Sequence, residues 1–174
     1  MSSRIANGSG AAQSGWNLFV SPWHLDEEIG GFPIPAGAIA LAEPPAPSGS
    51  EPDRLIGRYR GVAGMVARAE RPLILAGDCL TALGAVVGLQ RRHRDVSVIW
   101  LDAHGDFNTP AISTSGYLAG MSLAMLTGRA PEPIAERLGL RPVPDDHTVL
   151  VDARDLDPAE RDYGRAMRGE ARQL

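Results

Sequence analysis

Three short apolar runs constrain this chain more than anything else in it: Leu73–Ala76, Val96–Leu101 and Thr148–Val151. Each is bounded by turn residues and rich in large aliphatic or β-branched side chains. That pattern predicts strands of a parallel sheet, buried on both faces. Around them the apolar residues recur at helical spacing. Leu55, Ile56, Tyr59, Val62, Ala63 and Val66 form one stripe, in a helix expected from Asp53 and ended by Pro72. Leu80, Leu83, Val86, Val87 and Gln90 mark a second helix, which closes on Arg91, Arg92, His93 and Arg94, cations at the negative end of the helix dipole. A third helix is expected at about Gly116–Leu126, a polar one near Pro158, and a first strand at Trp16–Val20. Strands separated by helices imply βαβ units, hence an α/β fold with a mostly parallel sheet. Residues 30–52 are rich in Pro, Gly, Ser and Ala and read as loop.

A length of 174 residues suits one domain with a real core. The first 15 residues read as a disordered lead-in without the apolar centre of a secretory signal, and residues 16–174 as one α/β domain. The formal net charge of −4 gives no reason to expect nucleic acid or an anionic membrane as partner. No apolar run approaches the roughly 18–20 residues of a membrane span. Cys79 is the single cysteine, so an internal disulfide is impossible and a cytoplasmic setting is expected.

In open parallel sheets, ligands bind beyond the carboxyl ends of the strands. Two segments fall there: Gly77-Asp78-Cys79 after the first run and Asp102-Ala103-His104-Gly105-Asp106 after the second. If those strands are neighbours, ~4.8 Å apart, the segments share one pocket. In extended chain, residues i, i+2 and i+4 point the same way, so Asp102, His104 and Asp106 are expected to converge. Two carboxylates and an imidazole suit Mn²⁺, with Zn²⁺ or Fe²⁺ as alternatives. Cys79 is either an inert apolar residue or a metal-facing one. His93, in a cationic helix end, reads as solvated and His147 as structural; His24 reads as structural, with a place lining a pocket beside Trp23 as the alternative. Asp157, Pro158 and Glu160 make an ordinary helix start.

Taken together, these residues resemble the ureohydrolases, the arginases and agmatinases. The matching text is Leu75–Cys79, Trp100–Pro110, Ser113–Gly116 and Arg154–Pro158. The resemblance implies an arginase-like three-layer αβα fold, incomplete here on its C-terminal side. It implies two Mn²⁺ ions sharing a hydroxide, which attacks a guanidinium carbon and releases urea from an amine. Asp102 would then bridge the ions, with His104 on one and Asp106 on the other. Asn108 and Ser115 would contact a substrate carboxylate, and Asp157 the substrate amino group. A small guanidino compound is the implied partner, and a homo-oligomer the implied assembly.

The chain also departs from the family's pattern. Cys79 stands where the family usually has His, Tyr117 replaces an Asn and Ala119 a His, and the later D-x-D ligand block is absent. The leading expectation is a metal-dependent hydrolase of a guanidino or amidino C–N bond. The alternative is a non-catalytic, degenerate or fragmentary relative that binds metal, a small molecule or a partner chain. A metallophosphoesterase ranks last, because Gly77-Asp78 precedes the D-x-H block instead of following it.

Overall fold

The computed structural model describes residues 15–41, 50–93, 95–130 and 133–162. The expected lead-in over residues 1–15 lies outside these but for Gly15. In chain order the elements are β1 (Asn17–Ser21), β2 (Trp23–His24), β3 (Glu27–Glu28), β4 (Ile39–Ala40), α1 (Glu51–Val66), β5 (Pro72–Ala76), α2 (Thr81–Gln90), β6 (Val98–Asp102), α3 (Ser122–Leu126), α4 (Pro133–Leu138) and β7 (Thr148–Asp152). A final helix begins at residue 158 and is described to 162.

Helix α1 starts two residues before Asp53 because Pro52 sits in its first turn, where no N–H is needed. Asp53 accepts from the backbone N–H of Ser50 at 3.0 Å and from its hydroxyl at 2.7 Å, closing the entry turn. The whole predicted stripe, Leu55 through Val66, is buried. It packs on α2, and glycine permits the close approach. A Cβ at Gly84 would stand 2.5 Å from the Tyr59 carbonyl oxygen, and one at Gly88 2.7 Å from that of Ala63.

The strands are parallel, as expected, apart from the short β2–β3 ribbon. They form two separate sheets, β4-β1-β5 and β6-β7. No ladder joins β5 to β6 among the described residues, so the expected neighbour pairing is not what brings their ends together. An open cleft of about 370 Å³ lies between them, lined by Ile74 and Ala76 on one side and Ile99 and Leu101 on the other.

Burial on both faces is also not found. Val98, Trp100 and Leu150 pack against the core that the helices share. Ile99, Leu101, Val149 and Val151, one residue out of phase, are exposed. Alternation along a strand sends successive side chains to opposite faces, and only one of these faces is covered by the described residues.

Three local expectations are corrected. Residues 30–52 contain β4, whose register on β1 pairs Phe19 with Ile39; two residues leave no readable period. The expected Gly116–Leu126 helix is a 3-10 turn, Leu118–Met121, followed by α3. The break is fixed where the carbonyl of Asp106 takes the N–H groups of Leu123 and Ala124, both at 3.0 Å. Helix α4 falls in the turn-rich stretch, where six residues show too little periodicity to read.

Candidate metal centre

Glycine makes the turn after β5. A Cβ at Gly77 would lie 2.4 Å from the Trp23 carbonyl oxygen. Asp78 then commits both carboxylate oxygens to the scaffold. One accepts from the Thr81 N–H at 2.8 Å and hydroxyl at 3.0 Å, satisfying the start of α2. The other accepts from the Leu25 N–H at 2.9 Å and the Tyr59 hydroxyl at 3.2 Å. Asp78 therefore holds the turn that presents Cys79.

The chain after β6 does not stay extended. It bends at residues 103–104, and Asp106 adopts a left-handed φ of +50°, a conformation that Asp tolerates better than most residues. Period-two alternation therefore stops at Asp102, and the expected trio splits. Asp106 is buried, whereas the His104 side chain is 65% exposed. His104 remains tied to Asp102: its Nδ1 lies 3.2 Å from Asp102 Oδ1, and that oxygen accepts the His104 backbone N–H at 2.9 Å.

In place of His104, Cys79 completes the inner group. Donor atoms of Cys79, Asp102 and Asp106 all lie within 4.8 Å of one another. Asp106 Oδ2 is buried with no hydrogen-bond partner among the described residues. A buried carboxylate oxygen in that state calls for a cation or a proton. The two carboxylates are hard donors that suit Mn²⁺, and the sulfur suits a softer ion, so the set fits a divalent metal.

The electrostatics agree. Burial, and then the negative charge of Asp102, push Asp106 up to about 6. Burial, and then the charge of Asp106 and a hydrogen bond to it, push the Cys79 thiol up to about 12. The sign of the pH effect follows for the metal-free chain. Asp106 holds its proton more tightly folded than unfolded, where such a group titrates near ~3.9. Its contribution to stability is therefore greatest below about pH 4 and is lost as pH rises to about 6, on the order of 2–3 kcal/mol. Urea midpoints at pH 4 to 7 in chelator, for the parent and Asp106→Asn, are expected to diverge in that window: the variant gains relative stability as pH rises. Parallel curves would contradict the account.

The loop after β7 is hydrogen-bonded to the loop after β6: Ala153 N–H to Asp102 O and Asp155 N–H to Ala103 O, both 2.8 Å. This docks Glu160, which is buried and whose two oxygens accept from the backbone N–H of Phe107 and of Asp157, each at 3.0 Å. Gly105 leaves room here, since a Cβ would meet the Leu156 side chain at 2.8 Å and the Glu160 carboxylate at 2.9 Å, and both would have to shift. Sequence reasoning read Glu160 as a helix-start residue only. Its reach across to Phe107 has no signal in local spacing, because the partners are 53 residues apart.

A second pocket of about 250 Å³ opens beside the inner group. His104, Asp106, Asn108, Ser115, Tyr117, Asp155, Asp157 and Glu160 line it. Asn108 is buried; its Nδ2 donates to Asp157 Oδ2 at 3.0 Å, and its Oδ1 has no partner among the described residues. Tyr117 stacks on His24 with ring centroids 6.0 Å apart, and its hydroxyl lies 3.4 Å from His24 Nε2. His24 therefore contacts a residue of the pocket wall, on the side of the pocket-lining alternative for that histidine.

This pocket, beside a Cys–Asp–Asp cluster at the carboxyl ends of parallel strands, coincides with a family match. The sequence model of the arginase family matches residues 38–171. The chain belongs to the arginase family. Arginase from Staphylococcus aureus is 41% identical over 92 residues, covering 53% of this chain and 30% of that protein. The crystal structure of arginase from Bacillus cereus superposes with a TM-score of 0.62 at 34% identity, covering 67% of this chain and 42% of that one. The crystal structure of arginase from Bacillus subtilis superposes with a TM-score of 0.70 at 25% identity, covering 87% and 60%. The fold is thus α/β and arginase-like, and the match spans about 30% of the Staphylococcus aureus protein's length. No helix among the described residues is long and apolar enough to cross a membrane.

Proposed function

We propose that this arginase-family chain carries a metal centre and a guanidino-binding pocket, and serves hydrolysis of a guanidino or amidino C–N bond to urea and an amine. The observation that supports this most is the juxtaposition of the Cys79, Asp102 and Asp106 donors with the acidic pocket. Asp102 and Asp106 are the residues we assign to a divalent ion of the inner group, and His104, held beside Asp102, to a second ion; the family resemblance implies Mn²⁺. When bound, such an ion supplies a nucleophile at neutral pH by lowering the pKa of water.

The chain's own residues do the rest. Asp157 and Glu160 give the pocket negative charge, which attracts a cationic guanidinium or ammonium. Asn108 is oriented by Asp157 and keeps its Oδ1 as an acceptor. Ser115 offers a hydroxyl to the pocket, and Tyr117 forms part of its wall. Hydrolysis adds a water oxygen to the guanidinium carbon and a proton to the departing amine nitrogen. A cytoplasmic setting suits the one free thiol.

The test is a urea-release assay on the purified, metal-loaded chain with arginine, agmatine and simpler guanidino compounds. Release that depends on metal and stops in chelator is expected with at least one of them. No release from any, with the metal measured in place, would overturn the hydrolase reading.

A further inference from the structure

We propose that Cys79 is itself a metal ligand through its sulfur, which makes the inner position a sulfur–carboxylate site selective for a borderline ion of the Zn²⁺ or Co²⁺ class over Mn²⁺. This rests on the reading of the cluster as a metal centre and specifies which metal it takes.

The cysteine is not placed as an inert core residue would be. It is only partly buried, it follows β5 at the carboxyl edge, and its sulfur lies within 4.8 Å of carboxylate oxygens of Asp102 and Asp106. Independently, Asp106 is 5% exposed with Oδ2 unpartnered, and its carboxylate belongs to the same cluster. A neutral thiol satisfies at most one oxygen of that carboxylate. A cation satisfies the carboxylate and the sulfur at once, and the thiol gives its proton to solvent as the ion binds.

The dimensions agree. Around one Zn²⁺, sulfur stands at ~2.3 Å and carboxylate oxygen at ~2.1 Å, so two such donors are at most ~4.4 Å apart. The cluster's outer limit is 4.8 Å, so its most distant donors need draw in by only ~0.4 Å or more to share one ion. Preference follows from softness: thiolate favours Zn²⁺ and its neighbours, whereas Mn²⁺ favours an all-oxygen or oxygen–imidazole set. His104, exposed beside Asp102, is outside this inner group.

The experiment is titration of the metal-stripped chain with Co²⁺, followed by near-ultraviolet absorption and by elemental analysis. Zn²⁺ and Mn²⁺ affinities are measured in parallel. Cys79→Ser and Cys79→His are compared after circular dichroism shows that each is folded. The parent should develop a thiolate-to-cobalt charge-transfer band that saturates with the bound Co²⁺. Cys79→Ser should lack the band and bind Zn²⁺ on the order of tenfold more weakly or worse. Cys79→His should shift selectivity toward Mn²⁺. Bound Co²⁺ without the band, or unchanged Zn²⁺ affinity in Cys79→Ser, overturns the sulfur assignment while leaving the metal centre intact. No Co²⁺ bound by the parent overturns both. A band without hydrolysis of any guanidino compound supports the ligand assignment and counts only against the functional reading.

Discussion

Asp102→Ala is expected to lose metal binding and hydrolysis together, the largest effect of any single substitution in this chain. Among the described residues, Asp102 joins both parts of the proposed centre. It lies in the inner cluster with Cys79 and Asp106, and it accepts two hydrogen bonds from His104. Removing it takes away a proposed ligand and also releases the histidine. Disrupting residues that only orient ligands typically weakens metal binding ~10–100-fold; loss of a shared ligand is expected to exceed that, with urea release falling at least in proportion. The measurements are metal affinity by competition with a chelator and urea release at saturating metal. The side chain is partly exposed, so the fold should survive, and an unchanged denaturation midpoint serves as the control. Retained hydrolysis in this variant would place the chemistry elsewhere.

Glu160→Ala is expected to produce the largest loss of stability among residues around the site. The buried Glu160 carboxylate accepts from Phe107 and Asp157, joining the loop after β6 to the helix after β7. Alanine leaves two backbone N–H groups without their acceptor. Hydrogen bonds to a charged group are worth ~1.5–3 kcal/mol each, so a total loss of about 3–6 kcal/mol is expected. Glu160→Gln keeps one acceptor oxygen and should lose about half as much. Both should weaken metal binding, because the Phe107 N–H bond fixes the residue next to Asp106. Urea denaturation gives the first quantity and chelator competition the second. A shift below about 0.5 kcal/mol in Glu160→Ala would show that the loops hold together without it.

Much of the fold was legible because its signals are local. The stripe on α1, the apolar runs of β5, β6 and β7, and the turn at Gly77-Asp78 each depend on neighbours in sequence, and each stands within two residues of its expected place, β6 starting at Val98 instead of Val96. The split between β5 and β6 was not legible, because strand pairing is a long-range choice that neither strand encodes alone. The exposed faces of Ile99 and Leu101 were misread for the same reason: a continuous apolar run states that both faces are apolar, not what covers them. At the site, the residue types were legible and the geometry was not. Alternation placed His104 with Asp102 and Asp106, but the left-handed turn at Asp106 breaks the period and brings Cys79 into the group instead. Glu160 and the His24–Tyr117 contact depend on segments far apart in the chain.

The most direct test of the metal centre is a count of bound ion per folded chain, by elemental analysis after loading with Zn²⁺ and desalting, for the parent and for Asp106→Asn. At least one ion per chain in the parent and a clear loss in the variant is the predicted result. A parent chain that is folded and retains no ion would contradict the account at its centre.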